Sequence, residues 1–352
     1  MPKVTYLVPA AQPPGGDSMA RDVRPQIGEN PGGDWAAART AAAFTVAVES
    51  GRLDLPQPGG GRTGERWAVL ADLATEDLSL ARLAEGHADA LAILAELGAG
   101  RPAVGRRWGV WAAQPPGPGL AASQADDGSW RLDGLKRYCS GARCCTDALV
   151  TATAPDGNRL FAVSTRDLAV VPGSWPATGM AGSDTLDVKF TGIAAEPVGD
   201  PGRYLDRPGF THGGAGVAAC WYGGARAVGQ VLLAAAARRD VGPHALAHLG
   251  AVDVALTTAR TALDAAAAEI DADPDDLKDG GGLRTMRVRA LVEATATEVM
   301  NRVGRALGAG PLGHDEAHSR RVADLTVYLR QHHAERDLAE IGTQVAAHGT
   351  TW

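Results

Sequence analysis

Arg131–Ala142 reads RLDGLKRYCSGA, and the reading of the fold turns on this stretch. On either side of it the runs are short and rich in strand formers. Trp108-Gly-Val-Trp-Ala-Ala precedes it, and Thr146-Asp-Ala-Leu-Val-Thr-Ala-Thr and Leu160-Phe-Ala-Val-Ser follow. Further strand-like runs are Gly119–Gln124, Leu168–Pro172 and Thr185–Phe190, with turn signals at Asp127-Gly128 and Asp156-Gly157. The region predicts a compact antiparallel sheet or small barrel.

Outward from this region the texture becomes helical. Toward the N-terminus, DWAAARTAAAFTVAVESG predicts a helix from Trp35, with Asp34 as N-cap and Gly51 as its stop. Thr63–Ala74 places Trp67, Leu70 and Leu73 at helical spacing, and a third run ending at Gly98 carries a stripe of leucines with His87 inside it. Residues 10–34, rich in Gly, Pro and Asp, predict a loop or arm. Toward the C-terminus, Pro201–Gly216 reads as a hinge. Beyond it, helical runs from Ala218, Ala245, Leu283 and about Asp315 to Glu340 predict an antiparallel four-helix bundle. The expected class is α+β, mainly α: a helical lobe at 1–107, a central antiparallel β-barrel or sheet at 108–212, and a four-helix bundle at 213–352.

Bulk properties narrow the function. The chain has 352 residues and a formal net charge of −7, which gives no electrostatic footprint for nucleic acid or an anionic membrane. No stretch of 18 apolar residues occurs and the start lacks a signal-like apolar run, so a cytoplasmic protein is expected. The four cysteines, Cys139, Cys144, Cys145 and Cys220, form no CxxC pair and suggest free thiols. His244/His248 and His314/His318 have i, i+4 spacing but, apart from Asp315 and Glu316, no adjacent acidic partners, so no metal is expected. GxSxG, P-loop, HExxH and strand-linked GxGxxG signatures are all missing.

Four local patterns, in order, resemble the acyl-CoA dehydrogenase superfamily of flavoproteins. They are Gly134-Leu-Lys-Arg-Tyr-Cys-Ser-Gly-Ala142, Gly179-Met-Ala-Gly-Ser-Asp-Thr185, Arg238-Arg-Asp-Val-Gly242 and Gly308-Ala-Gly-Pro-Leu-Gly313. The resemblance implies FAD between the β region and the bundle. It places Ser140 as the hydroxyl near flavin N5, Tyr138 as the aromatic beside the ring, and Cys139 between them. Ala112-Ala-Gln114-Pro115 takes the place of the family's T-E-P loop, Arg238 would reach the pyrophosphate, often of a neighbouring subunit, and Trp111, Ala113, Gln114, Gly308 and Ala309 are further expected cofactor-binding residues. A guanidinium suits that phosphate role. The resemblance also implies a small-molecule substrate, such as a CoA thioester, and a homodimer or homotetramer.

The family's glutamate base has no counterpart at either of its usual positions. Aligning Asp324 with the family's aspartate puts His332 where glutamate stands, with His333 beside it. Three readings follow: a dehydrogenase-like enzyme with a histidine base, a flavin-dependent monooxygenase of the same fold, or a non-catalytic relative.

Overall fold

The computed structural model describes residues 31–349. The loop expected over residues 10–34 falls outside this range up to residue 30. From Pro31 the chain is already helical, so the first helix starts before the expected Asp34 cap.

The helices α1 (Pro31–Glu49), α2 (Thr63–Glu76) and α3 (Leu78–Glu96) lead into the strands. Asp77 caps α3, its carboxylate accepting from the Ser79 and Leu80 amides. Seven strands follow: β1 (Trp108–Trp111), β2 (Leu120–Gln124), β3 (Trp130–Cys139), β4 (Asp147–Ala154), β5 (Gly157–Ser164), β6 (Ala169–Val171) and β7 (Leu186–Val198). Five of them close a ring in the order β4–β2–β3–β7–β5 and back to β4, while β1 extends β4 and β6 flanks β7. The barrel is not purely antiparallel as the sequence suggested, because β1 and β2 both pair with β4 in parallel. Alternation of apolar residues encodes which face is buried and carries no information on strand direction.

The barrel core is apolar, with Leu132, Val150, Phe161, Val188 and Phe190 almost fully buried. Lys136 nevertheless points into it. Its ammonium donates to the Thr151 carbonyl and hydroxyl at 2.8 Å, and burial lowers its pKa to about 8. Two register shifts interrupt the β3–β7 ladder. At the first, Gly134 has φ +127, and a side chain there would meet the Gly119 carbonyl. The second lies between Lys136 and Cys139 and re-aims Tyr138.

After the short α4 (Arg203–Asp206) come three long helices: α5 (Pro208–Arg238), α6 (Gly242–Ala272) and α7 (Gly281–Leu307). The stretch read as a hinge is already helical from Pro208. The expected fourth bundle helix is broken. After α8 (Gly310–His314) it consists of α9 (Glu316–Tyr328), one 3-10 turn, an extended His332, and α10 (Glu335–His348). Ala334 sits at the break with φ +49. The helical core fills the space between α2, α3, α5, α7 and α9 with Leu70, Leu73, Trp221, Val292 and Leu325 among its buried residues. Among the described residues no helix is long and apolar enough to cross a membrane.

Candidate functional site

The end of β3 gathers most of the residues singled out from the sequence. The bulge holds Tyr138 at φ +62 and leaves its ring 50% exposed, while Cys139 and Ser140 turn inward. Positive φ is unfavourable for an aromatic residue and persists only where the surroundings impose it. The Tyr138 ring meets Trp175 edge-on, with 6.5 Å between centroids. Trp111, buried under this corner, donates its indole N–H to the Ser140 carbonyl at 2.9 Å.

The Ser140 hydroxyl belongs to a chain of hydroxyls. Ser140 Oγ and Thr185 Oγ1 lie 3.0 Å apart, and Thr185 Oγ1 and Ser183 Oγ 2.7 Å apart. Ser183 donates to the Met180 carbonyl at 2.7 Å. A carbonyl only accepts, so the chain has one direction: Ser183 accepts from Thr185, and Thr185 accepts from Ser140. Ser140 Oγ is thereby left with its lone pairs free, a hydrogen-bond acceptor at the edge of the aromatic corner.

Helix α9 docks on this loop. Gly179 lies so close to α9 that a Cβ there would sit 2.3 Å from the Ala323 carbonyl. Asp324 accepts from the Met180 amide at 2.5 Å, and burial raises its carboxyl pKa to about 6. Eight residues on, past the end of α9 and the 3-10 turn, lies His332. It is 5% exposed, its Nδ1 accepts from the Ala334 amide at 3.2 Å, and its Nε2 makes no hydrogen bond. Asp337 stands 3.7 Å from that nitrogen. Burial lowers the His332 pKa, so the ring is neutral near pH 7. His333 is exposed and pairs with Asp337 at 3.3 Å. Arg289 ties the break down by donating to the Gln331 and Gly214 carbonyls, and its guanidinium lies 4.7 Å over Trp221. The Trp221 indole N–H, also buried, has no partner.

The structure thus brings Trp111, Tyr138, Cys139 and Ser140 together and links them through α9 to His332. Ala113 and Gln114 are exposed beyond the end of β1. Arg238, Gly308 and Ala309 do not join this cluster within one chain. Arg238 is exposed at the far end of α5, 14 residues past the point where Gly224 meets α9, about 21 Å by helical rise.

Several residues with a place here escaped the sequence reading. Trp175 is one. A second is the charged row along α3, where Arg82 pairs with Glu85 and Arg66 pairs with Asp89 at 2.6 Å. Burial raises the Glu85 pKa to about 7, against the pull of Arg82. Their i, i+3, i+7 spacing is a helical signal, hidden because a charged face is normally a wet one. His87, inside the leucine stripe, is structural: its Nδ1 accepts from the Trp108 amide at 3.2 Å, and burial lowers its pKa to about 4. Among the described residues, no three His, Cys, Asp or Glu side chains converge on a metal position.

The exposed Tyr138–Trp175 corner and the acceptor at Ser140 suit a flat ring with polar edges. No family model and no curated protein matches the sequence. Solved structures do match. TdsC from Paenibacillus sp. A11-2, solved with FMN and indole, superposes with a TM-score of 0.71 at 18% identity over 91% of this chain and 98% of that one. The 3-HSA hydroxylase from Rhodococcus sp. RHA1 gives 0.71 at 16% identity over 92% and 96%. A nitrososynthase from Micromonospora carbonacea var. africana gives 0.68 at 21% identity over 91% and 98%. The chain has the acyl-CoA dehydrogenase-like fold of these enzymes.

Proposed function

We propose that the chain is a flavin-dependent oxidoreductase that uses reduced cofactor and molecular oxygen, a monooxygenase in reaction class. What supports this reading is His332, a buried histidine with no hydrogen bond at Nε2, which the sequence resemblance aligns with the dehydrogenases' carboxylate. Bound flavin would supply the two-electron chemistry and the reaction with oxygen.

The chain's own groups have definable tasks. Tyr138 and Trp175 would wall the ring and exclude water. Ser140 Oγ, with its hydrogen directed to Thr185, accepts a hydrogen bond and so favours the N5–H of a reduced ring over the bare nitrogen of an oxidised one. His332 Nδ1 is held by the Ala334 amide, so in the neutral ring Nε2 carries the hydrogen and donates it toward bound oxygen or substrate. Its lowered pKa makes it a weak base for an α-carbon proton and a suitable neutral donor.

α,β-Dehydrogenation of an acyl thioester is the second reading; burial pushes the Glu85 carboxyl on α3 above the ordinary carboxylate range while its ion pair with Arg82 opposes this. The cofactor form is FAD if a second copy of the chain contributes Arg238, Gly308 and Ala309; FMN needs none of them. FMN in the TdsC structure supports a flavin of either kind.

Rapid mixing of the reduced, flavin-loaded protein with oxygen tests the choice. The monooxygenase reading expects a transient absorbance distinct from both oxidised and reduced flavin. His332→Ala should abolish it and lower turnover by about 10²–10⁴, with flavin affinity retained. Rapid bleaching of oxidised flavin by acyl-CoA thioesters, lost in Glu85→Gln and kept in His332→Ala, would establish dehydrogenation instead.

A further inference from the structure

Three hydroxyls and one carbonyl run in single file from the aromatic corner into the interior. Ser140 and Thr185 are each 8% exposed and Ser183 is 0% exposed, so Ser183 lies out of reach of any ligand. Ser140 Oγ is 3.0 Å from Thr185 Oγ1, Thr185 Oγ1 is 2.7 Å from Ser183 Oγ, and Ser183 Oγ is 2.7 Å from the Met180 carbonyl. Each hydroxyl has one hydrogen to give. The carbonyl takes that of Ser183, Ser183 takes that of Thr185, and Thr185 takes that of Ser140. The orientation of the Ser140 hydroxyl is therefore decided at the far end of the file, at a carbonyl that can only accept.

The backbone holds this file in place without help from the hydroxyls. The Gly141 amide donates to the Ser183 carbonyl at 2.8 Å, and the Ala142 amide to the Asp184 carbonyl at 3.2 Å. Arg143 closes the same junction by pairing with the Asp184 carboxylate at 2.7 Å. Met180, which presents the terminal carbonyl, has φ +58, and Asp324 of α9 accepts from its amide. Removing one hydroxyl leaves these contacts standing and changes which way the remaining hydrogens point.

Taking the flavin site proposed above as its basis, we propose that Thr185 and Ser183 are positioning residues that set the redox balance of the bound flavin through the hydrogen of Ser140. With the file intact, Ser140 Oγ presents lone pairs to the ring edge and favours the N5–H of the reduced form. Thr185→Val removes the acceptor of the Ser140 hydrogen, which then turns to the ring edge and donates to the bare N5 of the oxidised form. Ser183→Ala acts from one step farther away. It deprives the Thr185 hydrogen of its acceptor, Thr185 turns back to donate to Ser140 Oγ, and Ser140 again releases its own hydrogen toward the ring. Both variants favour the oxidised flavin, although Ser183 touches nothing at the ring.

Dye-coupled reductive titration of the full chain loaded with FMN, repeated with FAD, reads the midpoint potential and does not depend on turnover. In Thr185→Val and in Ser183→Ala the preference for reduced over oxidised flavin should fall about tenfold, the value of one hydrogen bond, which is about 30 mV in a two-electron couple. Thr185→Ser keeps the hydroxyl and should keep the wild-type potential. A potential that is unchanged or raised in either Thr185→Val or Ser183→Ala overturns the proposal, as does a fall in Thr185→Ser equal to that in Thr185→Val. Each of these results comes from flavin-loaded protein and leaves the flavin site standing. A wild-type chain that takes up neither flavin removes the site itself, and this role with it.

Discussion

Asp324 shows how one side chain couples the candidate site to stability. In the unfolded chain an aspartate titrates near 3.8, and here the folded value is about 6. Folding therefore takes up a proton between those values. The contribution of the group is fully present below pH 3.8 and is lost as pH rises through 6. Asparagine keeps the acceptor for the Met180 amide and removes the titration. Asp324→Asn should match wild type near pH 4 and exceed it above pH 7 by about 1–3 kcal/mol in urea unfolding. A variant less stable than wild type at pH 7.5 would show that the ionised carboxylate supports the loop. At this scale Tyr138 and Ser140 were legible because residue type and spacing carry their chemistry. The direction of the hydroxyl chain was not, since it depends on Ser183 and Thr185, more than forty positions away along the chain.

Among the elements, α5 carries the closest approaches in the structure. A Cβ at Gly223 would lie 2.1 Å from the Ala71 carbonyl of α2, and one at Gly224 2.9 Å from Leu78. Backbone cannot yield as a flexible side chain can, so Gly223→Ala should cost about 3 kcal/mol or more. Gly250→Ala on α6, where a Cβ meets nothing within 4 Å, should stabilise by a few tenths to about 1 kcal/mol. Equal chemical-denaturation midpoints for the two variants would contradict the tight α2–α5 crossing. The helices of this bundle were legible from apolar periodicity, whereas the break before α10 was not. No Pro or Gly interrupts residues 315–340. The break is held from outside by Arg289 on the Gln331 carbonyl, and locally by the Ala334 amide on His332 Nδ1 and the His333 amide on Asp337. The bulge at Tyr138 is likewise a product of pairing with β7, which no local pattern records.

Considered as a whole molecule, the chain keeps its aromatic corner at one end of the bundle and an apolar, uncovered surface near the other. Leu233 of α5 and Leu246 of α6 are each more than half exposed near the α5–α6 turn that carries Arg238, and Val254, also more than half exposed, lies farther along α6. Exposed apolar groups gathered near one turn are suited to a second copy of the chain. Light scattering should therefore return a multiple of the chain mass, and Leu246→Glu with Val254→Lys should return a single chain. If FAD is the cofactor, that change should weaken its binding and spare FMN. A wild-type monomer that binds FAD tightly would remove Arg238 from the cofactor account.

The order of helical lobe, barrel and bundle was legible from the alternation of textures along the chain, because period and turn chemistry are local. Parallel pairing and the α3 charge row lie beyond it, since both are set by what packs against them. The central claim is that Tyr138, Trp175 and Ser140 form a flavin-ring site. Fluorescence titration of the purified chain with FMN and with FAD tests it most directly. Saturable quenching at one flavin per chain is expected, weakened about tenfold or more by Trp175→Ala and by Tyr138→Ala, the value of a lost aromatic contact, with the fold intact by circular dichroism. A folded protein that quenches neither flavin, or one whose affinity is unchanged in both variants, would contradict it.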